Sequence, residues 1–146
     1  MTEVDIEMVA EGLERTIGTI DMELAKLGKR ELNGSYHGKL LLSRGRALRD
    51  LAMISPNREE LLGYAIGSDT EAVNIFNKIR VDHESARAHL ELALSYIDLA
   101  AIKDHDRNMD IAIRALDEAK EFINYDDDPP LYEKIEDRLK KVWKGY

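Results

Sequence analysis

Residues 86–102 constrain the fold of this chain more than any other stretch. On a helical wheel of 3.6 residues per turn, they form two apolar arcs separated by one narrow polar stripe. The stripe consists of Arg87, Glu91, Ser95 and Asp98. A helix that is apolar over most of its circumference must be covered by neighbours on at least two sides. We therefore expect these residues to form the central helix of the fold.

Apolar residues recur at helical spacing along the rest of the chain, and no segment alternates as a half-buried strand does. The pattern predicts seven helices, at residues 4–27, 36–54, 57–66, 69–80, 86–102, 108–124 and 130–144. Gly67 is expected to end the third helix, and a capping box over residues 68–71 to start the fourth. Short polar loops favour antiparallel neighbours in one all-α domain covering residues 1–146.

Local signals mark the ends of the first two helices. Thr2 and Asp5 have the spacing of a capping box, and Gly28 suits the position just after the first helix. Ser35 is placed to cap the second helix. That helix must end before Pro56, because the residue preceding a proline resists helical geometry.

Charge and composition exclude several classes of partner and location. The net charge of −8 and the pI near 5.0 argue against duplex DNA or an anionic membrane as the main partner. The chain has no cysteine, which rules out disulfides and thiolate metal sites and fits a reducing compartment.

The N-terminus is acidic, unlike a signal peptide, and the longest apolar run, residues 92–102, is too short to span a bilayer. We expect a cytoplasmic protein.

One segment departs from this acidic balance. Residues 24–49 hold seven basic residues and one acid, Glu31, so the segment carries +6 and the remainder −14 within the total of −8. The basic residues are Lys26, Lys29, Arg30, Lys39, Arg44, Arg46 and Arg49. In a compact domain, pairing with the protein's own acids is the favoured interpretation, while a protein partner or a homodimer contact stays open.

Arg44 is the most unusual single residue, because it projects into the apolar face of the helix at 36–54. The other cations of that helix are expected on its far side as a candidate basic patch: Lys39, Arg46 and Arg49. A guanidinium on an apolar face must be paired or must extend to water. We favour an internal ion pair with an acid such as Asp98 or Glu91; the alternative is recognition of a carboxylate or phosphate in a groove.

The second half of the chain carries a repeat-like pattern. In the first of the two helices after residue 84, a bulky residue, Leu, a small residue and Tyr stand at His89, Leu92, Ala93 and Tyr96. In the second helix, Ala, a bulky residue and Ala stand at Ala112, Leu116 and Ala119. This spacing resembles a tetratricopeptide (TPR) repeat. A histidine stands at the usual aromatic position, the connecting turn is some three residues too long, and the proline comes about five residues late. The resemblance implies a hairpin over 84–124, a capping helix over 129–145 and degenerate hairpins over 2–83.

The resemblance also implies a function. TPR-like arrays commonly bind peptide segments of other proteins along a concave face made by the first helix of each hairpin. The matching positions here are Arg87, Leu90, Leu94 and Asp98, which lack the Lys and Asn set that some TPR domains use for a C-terminal carboxylate. The candidate partner-binding residues are therefore Arg44, Arg87, Leu90, Glu91, Leu94 and Asp98.

No constellation points to catalysis or to a bound cofactor. The four histidines have no metal-ligand spacing, and His89, on an apolar arc, is expected to be a hydrogen-bonded core residue. His105 lies between two aspartates, but no nucleophile is identifiable near it. Residues 126–128 lack the ligand alternation of an EF-hand loop, and no glycine-rich phosphate loop occurs. We predict no catalytic residue, no metal and no cofactor.

The favoured hypothesis is a non-catalytic interaction module or scaffold. It would bind a protein or peptide partner through the helices at 57–66 and 86–102, with the basic side of the second helix contributing. A homo-oligomer stays open, because Ile17, Ile20 and Leu24 either cover the core or contact a second subunit.

Two other classes stay open. A small enzyme or an anion-binding or small-molecule-binding protein would use Arg44, and it requires a pocket where Arg44, Tyr64 or Tyr96, and an acid meet. An RNA-associated factor would use residues 26–49, although Tyr36 is the one aromatic residue there for stacking on bases.

Overall fold

The structure is a computed structural model that describes residues 2–144. Over that range the chain forms six α-helices and no β-strand, which confirms the predicted all-α class. The helices are α1 (Glu3–Ala25), α2 (Ser35–Ile54), α3 (Arg58–Ile79), α4 (Asp82–Ala100), α5 (His105–Phe122) and α6 (Pro129–Lys144). Residue 145, the predicted end of the capping helix, lies outside the described residues.

The predicted third and fourth helices are one continuous helix, α3, and the break at Gly67 does not occur. The buried residues of α3 continue at spacings of three and four on both sides of Gly67: Leu62, Ala65, Asp69, Ala72 and Phe76. A glycine inside a helix costs only about 1 kcal/mol relative to alanine, and burial of this long face outweighs that cost. The helix instead ends at Ile79, and its C-cap residue, Arg80, has the left-handed conformation.

The other helix boundaries follow local chemistry. Thr2 and Asp5 form the predicted capping box, and α2 ends at Ile54, two residues before Pro56. Ser35 is the first residue of α2 and not its cap, because Gly34 occupies the N-cap position without a side-chain hydrogen bond. Helix α1 ends at Ala25, so Gly28 lies in the loop beyond the helix terminus.

Helices that follow one another in the chain pack against one another, and α4 lies at the centre of the array. It contacts α3 and α5, its neighbours in sequence, and also α2. Two apolar clusters meet on it: Leu90 and Ala93 pack with α5 and α6, while Ala88 packs with α2 and α3. This arrangement confirms residues 86–100 as the central segment, whereas Ala101 and Ile102, predicted to continue the helix, are exposed beyond its end.

Helix α1 lies at the edge of the array. Its one buried residue is Ile20, and its main contact is with α2. The apolar side chains of Val4 and Met8 are exposed. Among the six helices, none is both long and apolar enough to cross a membrane.

Candidate functional site

A network of buried charges connects α2 to α4. Both carboxylate oxygens of Glu91 accept hydrogen bonds, one from Arg46 Nη2 at 2.5 Å and the other from Arg49 Nη2 at 2.7 Å. The side chain of Glu91 is only 3% exposed. Its burial raises the pKa of the carboxyl group, but the hydrogen bonds from both arginines outweigh burial, and the pKa lies below its usual range. Glu91 is therefore a buried anion held by two cations.

Asp69 of α3 extends this network towards the core. It is fully buried, its Oδ2 accepts a hydrogen bond from Ser95 Oγ at 2.8 Å, and its Oδ1 has no partner among residues 2–144. Burial raises the pKa of Asp69 to about 7, against the opposing effects of the Ser95 hydrogen bond and the Arg49 charge. Near neutral pH this carboxyl group therefore exists in both protonation states.

Arg44 forms an internal ion pair, but its acid comes from a different helix than predicted. Its Nε donates to Asp21 Oδ1 of α1 at 2.7 Å, and its Nη1 donates to Ser68 Oγ of α3 at 2.7 Å. The suggested partners, Asp98 and Glu91, lie across α2 from it and contact other arginines. The side of α2 that carries Arg44 faces α1, so the nearest acid belongs to α1.

The placement of the other α2 cations on a far, exposed side was partly wrong. Lys39 is exposed and Arg46 is half-exposed, but the side chain of Arg49 is only 11% exposed. Arg49 donates to Glu91 and Ser95 and lies 4.0 Å from Asp98. Helix α4 packs onto the side of α2 that the sequence pattern assigned to solvent, and this contact encloses Arg49.

Arg44 also lines a surface pocket of about 480 Å³ with Asp21, Tyr64 and Glu71. The second hypothesis required this convergence of an arginine, a tyrosine and an acid. The polar groups of the pocket already bond to the protein itself, however, since Arg44 is paired with Asp21 and the Tyr64 hydroxyl donates to Glu60 at 3.0 Å.

A smaller groove of about 180 Å³ lies where α2, α4 and the start of α6 meet; we call it the α2–α4–α6 groove. Its lining residues are Arg46, Arg87, Leu90, Glu91, Asp128, Pro130, Leu131 and Lys134. Three of the predicted partner-binding residues, Arg87, Leu90 and Glu91, are thus together with Arg46 of the predicted basic patch. Leu90 is almost fully buried and forms part of the floor.

The remaining candidate residues lie outside this groove. Arg44 faces α1, and Lys39 is exposed elsewhere on α2. Leu94 is half-buried against the cluster formed with α5 and α6. Asp98 is also half-buried, close to Arg49, and burial raises its pKa.

The acids of the groove are already engaged by the protein. Asp128 Oδ2 lies 2.7 Å from His83 Nε2, and Asp128 Oδ1 accepts the backbone N–H of Leu131 at 3.1 Å. The hydrogen bond with His83 lowers the pKa of Asp128. The side chains of Arg87 and Lys134, in contrast, line the groove with no hydrogen bond or ion pair to any other residue in the range 2–144, although the Arg87 charge also acts on Asp128.

No family model, curated protein or solved structure matches this chain. The likeness to TPR repeats therefore rests on the sequence pattern of residues 84–145. Function has to be inferred from the geometry of the site.

His89 is the hydrogen-bonded core histidine that its position on an apolar arc predicted. Its Nδ1 lies 2.8 Å from the Ser85 carbonyl oxygen and its Nε2 lies 2.9 Å from Glu118 Oε2. The ring also stacks on Phe122 with centroids 5.3 Å apart. Within residues 2–144, no group of three or more potential metal ligands is arranged to hold an ion.

Three residues of these sites were not singled out from the sequence. Asp69 was interpreted as part of a helix cap, yet its spacing of seven from both Leu62 and Phe76 places it on the buried face of α3. Lys134 lies one helical turn beyond Pro130, which would have indicated a shared face. Asp21 gave no usable signal, because its pairing with Arg44 depends on how α1 packs on α2.

Proposed function

We propose that this protein is a non-catalytic interaction module that binds a segment of another protein in the α2–α4–α6 groove. The observation that carries the proposal is that alternate helices contribute to one groove. Helices α2 and α4 would be the first helices of successive hairpins in a TPR-like stack, and α6, the capping helix, would take the next position on the same face. The segment 57–66, expected from the sequence to form part of this face, is the first half of α3 and lines no part of the groove. Such a stack presents its first helices on one face.

The size and lining of the groove favour a protein segment over a small molecule. Sites for drug-sized ligands typically enclose about 300–1,000 Å³, and this groove is smaller, at about 180 Å³. It has an apolar floor that includes Leu90 and Leu131 and a charged rim that includes Arg87 and Lys134. This combination suits one or two side chains of a longer segment that continues across the surface.

The chemistry of the groove gives no support to catalysis. The carboxylate oxygens of Glu91 and Asp128 all accept hydrogen bonds or pair with histidine or arginine. A general base must be within hydrogen-bond reach of the proton that it abstracts, whereas these oxygens are directed at donors of the protein itself. Both acids are instead used to hold α2, α4 and the start of α6 in position.

Site-specific photocrosslinking tests the proposal. Benzoylphenylalanine at Pro130, an exposed residue that lines the groove, would lie beside a bound segment, and the same group at Lys78, an exposed residue of α3, serves as the matched control. On illumination in a lysate of the cells that produce the protein, position 130 should give discrete crosslinked protein products that position 78 does not give. Identical products at both positions, or none at position 130, would contradict the proposal.

The pocket beside Arg44 supports a second candidate, binding of a small anion. Its volume of about 480 Å³ lies in the range of small-molecule sites, and Arg44, Tyr64 and Asp21 line it. An anion there would have to displace Asp21 from Arg44. Thermal-shift measurements with small anions on wild type and Arg44→Gln test it: a ligand that stabilises wild type alone would support this candidate.

The RNA hypothesis receives less support. Arg44, Arg46 and Arg49, three of the seven basic residues of the 24–49 segment, are paired with the protein's own acids. This pairing leaves the segment with fewer cations to contact phosphates.

A further inference from the structure

We propose that the segment bound in the α2–α4–α6 groove carries a phosphate group, whose oxygens accept hydrogen bonds from Arg46, Arg87 and Lys134. The inference rests on the proposed function, because it takes this groove as the partner-binding face. It adds the chemical class of the group that is recognised.

The two acids that line the groove already have hydrogen-bond partners within the protein. Both oxygens of Glu91 are bonded to arginines, and both oxygens of Asp128 are bonded to His83 and to the Leu131 N–H. Each oxygen of the lining acids thus has a partner within the protein. The groups of the groove left for a ligand are mainly the donors of its cations, which a ligand with acceptor atoms would satisfy.

The cations of the same groove do have donors to spare. The side chains of Arg87 and Lys134 make no hydrogen bond to any residue of 2–144, and Arg46 uses only Nη2 to bind Glu91. All three side chains are exposed to some extent, so a ligand can reach them without unfolding the site. The groove therefore has free cationic hydrogen-bond donors, which suit an anionic ligand.

The number of cations separates phosphate from carboxylate. Three cationic side chains from three different helices line a space of about 180 Å³. A phosphorylated side chain presents three terminal oxygens and a charge of about −1.5 to −2 at neutral pH, whereas a carboxylate presents two oxygens and one charge. Arginine also matches phosphate oxygens in a two-point geometry. One phosphate can engage all three side chains at once.

The net charge of the protein favours a single phosphate on a protein segment over the phosphates of a nucleic acid or a membrane. A net charge of −8 repels an extended polyanion such as duplex DNA or an anionic bilayer surface. A single phosphate on a partner segment avoids most of that repulsion, because only one charged group enters the local cationic site. The apolar floor at Leu90 and Leu131 then contacts the neighbouring residues of the segment.

Peptide binding tests this inference directly. Three fluorescent peptide pools of otherwise degenerate sequence would carry phosphoserine, serine or glutamate at the central position, and fluorescence anisotropy would follow their binding to the full-length protein. The phosphoserine pool should bind about tenfold or more tightly than either other pool, which corresponds to about 1.4 kcal/mol. Arg87→Gln with Lys134→Gln should remove that preference, and Lys78→Gln should leave it unchanged.

Several outcomes would overturn the inference. Equal binding of the glutamate and phosphoserine pools would show a general anion site. Inorganic phosphate that competes at the same concentration as the phosphoserine pool would show a site for the free ion. An unchanged preference in the double variant would show that Arg87 and Lys134 do not bind the phosphate. No preference in wild type would show that the groove does not recognise a phosphorylated segment.

The crosslinking experiment separates this failure from failure of the proposed function. If position 130 crosslinks a partner whose capture survives phosphatase treatment of the lysate, the interaction module stands and the phosphate inference falls. If position 130 captures nothing, both fall together.

Discussion

Gly45 of α2 lies directly against the Asp69 carboxylate of α3, with no space between them for a methyl group. A Cβ atom at position 45 would overlap Asp69 Oδ1 and would lie 3.3 Å from the Ala65 carbonyl oxygen. Asp69 is itself fully buried and bonded to Ser95 of α4. This single close approach therefore sets how α2, α3 and α4 meet beside the charged network.

Replacing Gly45 with alanine should destabilise the fold. The added methyl group must push the buried Asp69 side chain aside, and overpacking of this kind typically costs about 1–3 kcal/mol. Gly63→Ala in α3 is the matched control, because a Cβ there meets no atom within 4 Å and should stabilise the helix by about 0.5–1 kcal/mol. Urea unfolding of both variants measures the difference, and a Gly45→Ala protein as stable as wild type would contradict the close contact.

Asp69 should make stability depend on pH in the acidic-to-neutral range. Its pKa is about 7 in the folded protein against 3.8 for an ordinary aspartate. Between these values the folded state retains a proton that the unfolded chain has released. The contribution of Asp69 to the free energy of unfolding therefore falls as the pH rises, by at most about 1.4 kcal/mol per pH unit, and levels off above about pH 7.

Asp69→Asn provides the measurement for that dependence, since asparagine mimics the protonated carboxyl group. The stability of the variant relative to wild type should rise steadily from about pH 5 to about pH 7 and then stay constant. A constant offset between the two proteins would be expected from changed packing against Gly45 alone, so a difference that does not vary with pH would contradict the elevated pKa.

Removing Glu91 should be far more costly than removing an exposed acid. Glu91→Ala leaves Arg46 and the buried Arg49 without their shared counter-charge, and loss of one partner in a buried pair costs about 3–5 kcal/mol. The half-exposed position of Arg46 places the expected cost near the lower end. Asp137→Ala, which breaks an exposed pair with Lys141, should cost less than about 0.5 kcal/mol. Similar losses of unfolding free energy in both variants would argue against a buried network.

Exchanging the charges of Asp21 and Arg44 should restore most of the folding stability that is lost when the charge of Arg44 alone is reversed. Arg44→Glu places a carboxylate beside Asp21, while Asp21→Arg in the same chain recreates an attractive pair. The ion pair is partly exposed, so its coupling energy in a double-mutant cycle should be about 1 kcal/mol or less. A double variant that is no more stable than Arg44→Glu would exclude the pairing of α1 with α2 through these residues.

Hydrogen exchange should separate α1 from the rest of the array. Residues 3–19 contain no buried side chain and α1 packs mainly on α2, whereas α4 packs between several helices. Amides in the first turns of α1 should therefore exchange through local opening, well before those of α4. Equal protection in both helices, measured by mass spectrometry of peptides, would require contacts on α1 beyond those with α2.

The residue spacing of the chain was sufficient to predict the all-α class and the central segment, but not the number of helices, for a physical reason. Apolar residues at spacings of three and four must share one face, and a segment such as 86–102 with two apolar arcs must be enclosed. Its burial against several helices confirms that expectation. Gly67 was misread because local propensity is weak compared with the burial of a continuous face along α3.

The groove residues could be predicted individually but not as a group. Arg87, Leu90 and Glu91 were candidates because they share a helix, and their spacing is local information. Their proximity to Lys134 depends on how α6 returns to α4, which no local spacing contains. The acid that pairs with Arg44 illustrates the same limit, since any acid on a helix facing α2 could have served.

The sequence by itself determined that the chain is helical and which segment is central, because these properties depend on neighbours within a few turns. Tertiary structure alone decided the pairings of the charged groups. Arg49 was predicted as part of a basic patch on the far side of α2, and its side chain is buried where α4 packs against that side. Electrostatic partners are chosen by distance in space, so the network of Arg46, Arg49, Asp69 and Glu91 exists only once α2, α3 and α4 are in contact.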